Sequence, residues 1–183
     1  MAPRTITRSS PNRYGVERWN MSVNGAIITF IEGIMGINIR QKGQEGEREI
    51  QRALEPIIRK VMSEGGFPLP DKAIVQRNQN QSAVGGSDLS NTFGLAIEVK
   101  RQEQLSINTW WKQCETAAND NGEHPVLLYR QNGKKWKCVT LVWLPLHGGA
   151  QQQARAEFDM DTFLAWFEQW VQRKLVQGEV PRV

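Results

Sequence analysis

The chain has 183 residues, with 23 Lys+Arg against 19 Asp+Glu. Such a length suits one domain with a core of its own, since domains run to roughly 100–200 residues, and 39% hydrophobic with 23% charged residues excludes a disordered or fibrous chain. Two cysteines, Cys114 and Cys138, exclude a disulfide scaffold and a Cys-rich zinc module, while a formal net charge of +4 hints at an anionic partner without identifying one.

Residues 1–20 read as a flexible basic arm. Arg4, Arg8, Arg13 and Arg18 face only one acid, Glu17, and Pro3, Ser9, Ser10, Pro11 and Gly15 oppose regular structure. The arm lacks the apolar core of a signal peptide, and free cysteines suit a reducing cytoplasm. Next, Ala26 to Ile39 is apolar but interrupted by Glu32, Gly33 and Gly36. It is too short and broken for a membrane span of about 20 apolar residues, and its pattern leaves helix and strand both open. Residues 1–40 are therefore expected to be an arm and apolar extension, and residues 41–183 the main domain.

From Glu45 the signal sharpens. Glu47, Ile50, Leu54, Ile57, Ile58 and Val61 recur at helical spacing, which predicts a helix ending at Gly65-Gly66. Pro56 should kink or restart it. Ala73–Arg77 is a short strand candidate, and the Asn91–Gly94 stretch looks like a hairpin turn. After it, Leu95, Ile97 and Val99 alternate with Ala96, Glu98 and Lys100 in the period of a half-buried strand. Ser106 is placed to cap a helix lined by Ile107, Trp110, Trp111, Cys114, Ala117 and Ala118. Pro125–Arg130 and Lys135–Trp143 read as strands around an Asn132-Gly133 turn. A last helix runs from about Asp161 to Leu175. The order predicts an α/β fold in which helices cover a central mixed sheet.

One constellation invites chemistry. Residues two apart on a strand face the same way, so Glu98 and Lys100 project together, and if Asp88 sits on the preceding strand of a hairpin its carboxylate lies across from Glu98. Two carboxylates and a lysine on one sheet face are costly to bury without a purpose. Oxygen donors of this kind suit Mg²⁺, with Mn²⁺ as a possible substitute. Lys100 beside such a cation is expected to have a depressed pKa, suited to deprotonating or orienting a water. Counting back from Ile50, Glu47 falls on the inward helix face although charged, as a ligand or a helix-dipole partner. Read without further context, an Asp followed by Glu-x-Lys could equally be a solvated strand face with a salt bridge.

The run Lys42-Gly43-Gln44-Glu45-Gly46-Glu47-Arg48-Glu49-Ile50 resembles the opening motif of archaeal-type Holliday junction resolvases, within the PD-(D/E)xK nuclease superfamily. Val75-Gln76-Arg77, Ser87-Asp88-Leu89 and Ile97-Glu98-Val99-Lys100 resemble that family's later motifs in the same order, over about residues 41–143. The resemblance implies a restriction-endonuclease-like core, a homodimer and Mg²⁺-dependent cleavage of branched double-stranded DNA. It assigns catalysis to Glu47, Asp88, Glu98 and Lys100, with the three acids as metal ligands. It links Arg48 and Arg77 to DNA phosphate, and Gln113 resembles the helix-borne glutamine found after Glu-x-Lys in some of these nucleases. In this chain Gly86-Ser87 precedes the aspartate where the superfamily often has proline, and the loop from Arg77 to Asp88 is longer than usual. Residues 1–40 and the Trp-rich last helix have no counterpart, which points to a phage-encoded relative acting in a bacterial host cell. A flap, nick or plain duplex remains an alternative substrate, and a non-catalytic DNA-binding protein an alternative role.

Other features are weaker. The seven tryptophans invite base stacking, but Trp110, Trp136, Trp166 and Trp170 sit in periodic apolar patterns that favour core or interface. His124 and His147 have no partner at zinc-ligand spacing. The phosphate-loop pattern is absent, so no nucleotide cofactor is expected.

Overall fold

The computed structural model describes residues 5–8, 18–23, 26–78 and 87–181. Residues Met1–Lys42 and Gly43–Val183 form two compact units. In the first, β1 (Thr5–Arg8), β2 (Arg18–Val23) and β3 (Ala26–Ile31) make an antiparallel meander, with Thr5 opposite Ser22 and Met21 opposite Ile28. Regular structure therefore enters the stretch read as an irregular arm. Thr5-Ile6-Thr7 is β-branched throughout, and β2 lies between it and the Ile-rich β3, so its backbone groups find partners on both sides. The breakers Ser9, Ser10, Pro11 and Gly15 fall outside the described residues, as do Arg4 and Arg13; at Arg8 and Arg18 only the strand backbone is described.

The ambiguous apolar stretch divides into β3 and the start of α1 (Glu32–Glu64). This helix runs through Pro56 without interruption. Pro56 is exposed, so the carbonyl that loses its donor can be hydrated, which lessens the cost of an internal proline.

The second unit is built on a six-stranded sheet in the order β4 (Gln76–Arg77), β5 (Leu89–Ser90), β6 (Leu95–Arg101), β7 (His124–Arg130), β8 (Lys137–Pro145), β9 (Gln151–Asp159). Only β6 and β7 run parallel, joined by the crossover helix α2 (Ile107–Asn121); every other neighbour is antiparallel. The sheet is therefore mixed, as the sequence predicts. Ile50, Leu54 and Ile58 of α1 and Phe163, Phe167 and Val171 of α3 (Met160–Val176) cover one face. Trp110, Trp111 and Cys114 of α2 cover the other, against Leu127, Tyr129 and Val139. Both cysteines are free and buried. Among the described residues no helix is long and apolar enough to cross a membrane.

Three local expectations change. Ser106 occupies the N-cap position of α2 but makes no side-chain cap bond; at α3 Asp159 does cap, accepting from Thr162 N at 2.7 Å. The strand expected over Ala73–Arg77 shortens to β4, because Ile74 and Val75 bond to α1 side chains instead of a sheet neighbour. Strand β9 lies where no strand was read: Gln151-Gln152-Gln153 is polar, and only Ala154, Ala156 and Phe158 turn inward along the sheet edge. Trp110 and Trp136 are buried, and Trp166 and Trp170 pack on His124 with ring centroids 6.0 and 5.6 Å away. His124 Nε2 lies 2.8 Å from the Thr140 hydroxyl.

A polar ladder ties α1 to the chain that leads into β4. Glu47, Gln51, Glu55 and Arg59 recur every four residues and so share one stripe. Arg59 donates to the carbonyls of Pro70 (3.0 Å) and Lys72 (2.7 Å). The Glu55 carboxylate accepts from the backbone N–H groups of Ile74 and Val75 (3.0 Å each) and from Arg59 Nε (2.7 Å). Gln51 donates to Val75 O at 2.6 Å. Glu55→Ala strands two backbone donors beside a buried Ile74-Val75 pair. It is expected to cost about 2–4 kcal/mol, read as a fall in Tm of roughly 5–15 °C for a chain of this size. An unchanged melting curve would show that the ladder carries no stability.

Candidate active site

Strand β6 places Leu95, Ile97 and Val99 in the main core and leaves Glu98 and Lys100 on its opposite face, partly exposed. Asp88 immediately precedes β5, in which Leu89 pairs with Ile97 of β6. Its own backbone extends the hairpin, Asp88 N donating to Ile97 O at 2.9 Å. Its carboxylate then replaces the next ladder bond: Oδ2 accepts from Val99 N at 2.6 Å. The aspartate is thereby fixed to the strand segment that carries Glu98 and Lys100.

Glu47 reaches the same place from α1. Gly46 makes this approach possible, since a Cβ there would lie 3.3 Å from the Trp136 ring and 3.5–3.6 Å from Arg101 and Val99 side chains. The helix can settle on the end of β6 only with glycine or a displaced tryptophan at that contact. One residue on, the Glu47 carboxylate accepts from both Nε and Nη2 of Arg77 at 2.6 Å.

The charges act as a group. Burial is the main cause that pushes the Glu47 carboxyl upward; Arg77 pulls it down, and Asp88 pushes it up again. Glu98 is also raised, first by burial and then by the charge of Asp88, against the pull of its ion pair with Lys100. For Lys100 burial alone favours the neutral amine, but the charge and hydrogen bond of Glu98, with Asp88 and Glu47 behind it, outweigh burial and lift its pKa above that of an ordinary lysine. The depressed lysine pKa expected from the sequence belongs to a lysine beside a bound cation, whose charge opposes that of these acids. Held by these acids, Lys100 is an ammonium, a donor and a positive charge.

Glu47, Asp88, Glu98, Lys100 and Arg77 are thus brought within one electrostatic neighbourhood. Arg48 and Gln113 are not. Arg48 is exposed on α1, and Gln113 lies on the outer face of α2 in an open concavity of about 590 Å³ with Asn108, Lys112 and Thr116. Sequence reasoning overlooked Gln51, Glu55 and Arg59, whose signal was the four-residue spacing that ends at Glu47, and the Val99 N–H, which has no sequence signal.

Among the described residues no three His, Cys, Asp or Glu side chains are gathered closely enough to hold one ion between them. Instead Glu47 is turned to Arg77 and Glu98 to Lys100. Asp88 and Glu98 still fit a hard cation in donor chemistry, because Mg²⁺ is commonly held by one or two carboxylates with water and substrate phosphate completing its shell. Both Arg77 donors engage Oε2 of Glu47, so Glu47 would join them through Oε1 or by leaving Arg77.

A family model described as "Phage putative PDDEXK endonuclease" matches residues 38–174. The chain belongs to this family. The matched span contains Glu47, Asp88, Glu98 and Lys100, the whole six-stranded sheet and most of α3, and it leaves out the β1–β3 meander. The mixed sheet flanked by helices is accordingly the PD-(D/E)xK nuclease fold. No curated protein matches the chain. Among solved structures it is similar to Archaeoglobus fulgidus Hjc, described as a Holliday junction resolvase from an archaeal hyperthermophile, at 19% identity. That alignment covers 67% of this chain and 87% of the other, with a TM-score of 0.33. In this PD-(D/E)xK family member, the Glu-x-Lys pair stands on the central β6 and the preceding aspartate on its hairpin partner.

Proposed function

We propose that the protein is a Mg²⁺-dependent DNA endonuclease that resolves four-way junctions by phosphodiester hydrolysis, working as a homodimer in the cytoplasm of a bacterial host cell. The single observation that carries the chemistry is the shared field of Glu47, Asp88, Glu98 and Lys100, drawn from a helix, a hairpin and a central strand. Asp88, Glu98 and Glu47 would hold the cation, for which Mn²⁺ is a substitute, and when bound it would supply polarisation of the phosphate and activation of water. Lys100 keeps Glu98 ionised and offers its N–H donors to the negative charge that grows on phosphate oxygen. Arg48 and Arg77 take backbone phosphates, and Gln113 is assigned to the DNA side of α2. Residues 41–183 are the nuclease domain, with residues 1–40 as a basic extension.

Support for the branched substrate comes from the Lys42–Ile50 and Ile97–Lys100 motifs, which resemble those of junction resolvases. A dimer suits that substrate, because two-fold symmetry sets two sites on opposed strands. The test offers labelled four-way junction, flap, nicked and linear duplex DNA at one salt concentration with Mg²⁺. The junction is expected to be cut at least about tenfold faster than linear duplex, a preference read from DNA shape. Equal rates on all four would remove junction selectivity, and tight junction binding with no metal-dependent cleavage would favour a non-catalytic binding protein.

A further inference from the structure

The rungs of the α1 ladder differ in kind. Arg59, Glu55 and Gln51 all hold main-chain groups of residues 70–75. The last rung joins two side chains, Glu47 and Arg77, and is the one that touches the acidic neighbourhood. The backbone at Arg77 is fixed without that rung. Behind it stand the bonds to Ile74 and Val75; beside it Arg77 pairs with Leu89, and Asn78 N donates to Asp88 O at 2.9 Å. The guanidinium can therefore leave Glu47 while its Cα stays in place. It is not sealed in, with 17% of its side chain exposed against 15% for Glu47.

Charge gives a reason for it to leave. Among the described residues, three carboxylates, Glu47, Asp88 and Glu98, share this neighbourhood with two cations, Arg77 and Lys100, an excess of one negative charge when all are ionised. A divalent cation turns that into one positive charge, which a single phosphodiester neutralises. The cation also competes for the carboxylate that Arg77 holds, and a guanidinium without its carboxylate presents the forked donors that suit phosphate.

We propose that Arg77 is a movable counter-charge: it holds Glu47 until a divalent cation takes that carboxylate, and is then released to a DNA phosphate, so that metal binding and DNA binding are coupled through this side chain. The inference rests on the reading of Glu47 as a metal ligand. Arg77 acts on the cation through Glu47, as a positioning residue, and on DNA directly.

The experiment measures two equilibria in the wild type and in Arg77→Gln, Arg77→Lys and Glu47→Gln. Mn²⁺ binding without DNA is followed by calorimetry. Binding of a labelled four-way junction is followed by fluorescence anisotropy in EDTA and in Ca²⁺, with a denaturing gel to verify intact DNA. In the wild type, Ca²⁺ is expected to tighten DNA binding about tenfold, within the usual range of coupling between two ligands. In Arg77→Gln that enhancement should shrink to less than about threefold, while Mn²⁺ binds more tightly because its competitor is gone. Arg77→Lys keeps the charge but loses the fork, and should restore part of the enhancement. A merely structural arginine would lower Tm on replacement and leave the Ca²⁺ enhancement at its wild-type value; that result overturns the proposal. If Glu47→Gln binds Mn²⁺ as the wild type does, the reading of Glu47 as a ligand fails and the exchange falls with it. Weakened Mn²⁺ binding in Glu47→Gln together with an undiminished enhancement in Arg77→Gln leaves that reading standing and removes the exchange alone.

Discussion

Glu98→Gln is expected to reduce junction cleavage by about a thousandfold, at the upper end of what loss of one charge-stabilising group costs, while the protein keeps its fold. The substitution preserves shape and removes only the negative charge. Only 12% of the Glu98 side chain is exposed, but it stands apart from the main core, because Leu95, Ile97 and Val99 of that strand point the other way. The change also relieves a strain, since burial and the neighbouring Asp88 already push the Glu98 carboxyl toward its neutral form. The folded state therefore gains from a neutral amide what it loses from the Lys100 pair, and Tm should stay close to that of the wild type. Activity has no such compensation, because an amide supplies a weaker ligand and no charge for a divalent cation. Asp88→Asn should be nearly as damaging to cleavage and harder on the fold: an amide flipped to place its NH₂ toward Val99 N would break the bond that ties the hairpin. Single-turnover cleavage and thermal melts of both variants separate the two effects. Undiminished cleavage by both removes the site assignment.

Much of this site was legible because its elements obey one-dimensional rules. Leu95, Ile97 and Val99 announce a strand by alternation, which at once puts Glu98 beside Lys100. Ile50, Leu54 and Ile58 announce the buried face of α1, and Glu47 one turn earlier follows from their spacing. What stayed hidden is tertiary. Glu55 binds main-chain N–H groups 19 and 20 residues away, and a backbone donor has the same appearance at every position of a sequence. Arg77 lies 30 residues from Glu47, and nothing in its motif position announces that pairing. Strand β9 escaped because an edge strand needs little apolar character, and Gln151-Gln152-Gln153 has none. The Lys100 pKa could not be read at all: its direction depends on acids from three separate segments overcoming burial.

The acids that raise the Lys100 pKa lead to the second large effect. Lys100→Met is expected to lower cleavage by about a hundredfold or more, the usual cost of losing one donor to a developing negative charge. Its pH dependence distinguishes a charge from a base. A lysine acting as general base needs a pKa near the working pH, but the acids around Lys100 raise its pKa above the ordinary 10.5. An ammonium that these acids hold protonated against the charge of the cation contributes no limb to the rate profile near neutrality. The limb on the acid side belongs to the carboxylates, whose pKa values lie above their ordinary 4.5. Lys100 is one of the groups that pull the Glu98 and Glu47 values down. Removing it must let both rise further, so each carboxylate ionises at a higher pH than before. The acid limb of Lys100→Met should accordingly shift to higher pH, and the rate should recover part of its loss as pH increases. A lysine that served as base would give the opposite pattern: the variant would lose the limb that the lysine created, and raising the pH would recover nothing. Rate profiles of wild type and Lys100→Met between pH 5.5 and 9 on one junction decide between the two, with Lys100→Arg expected to keep the charge and hence the wild-type position of the acid limb.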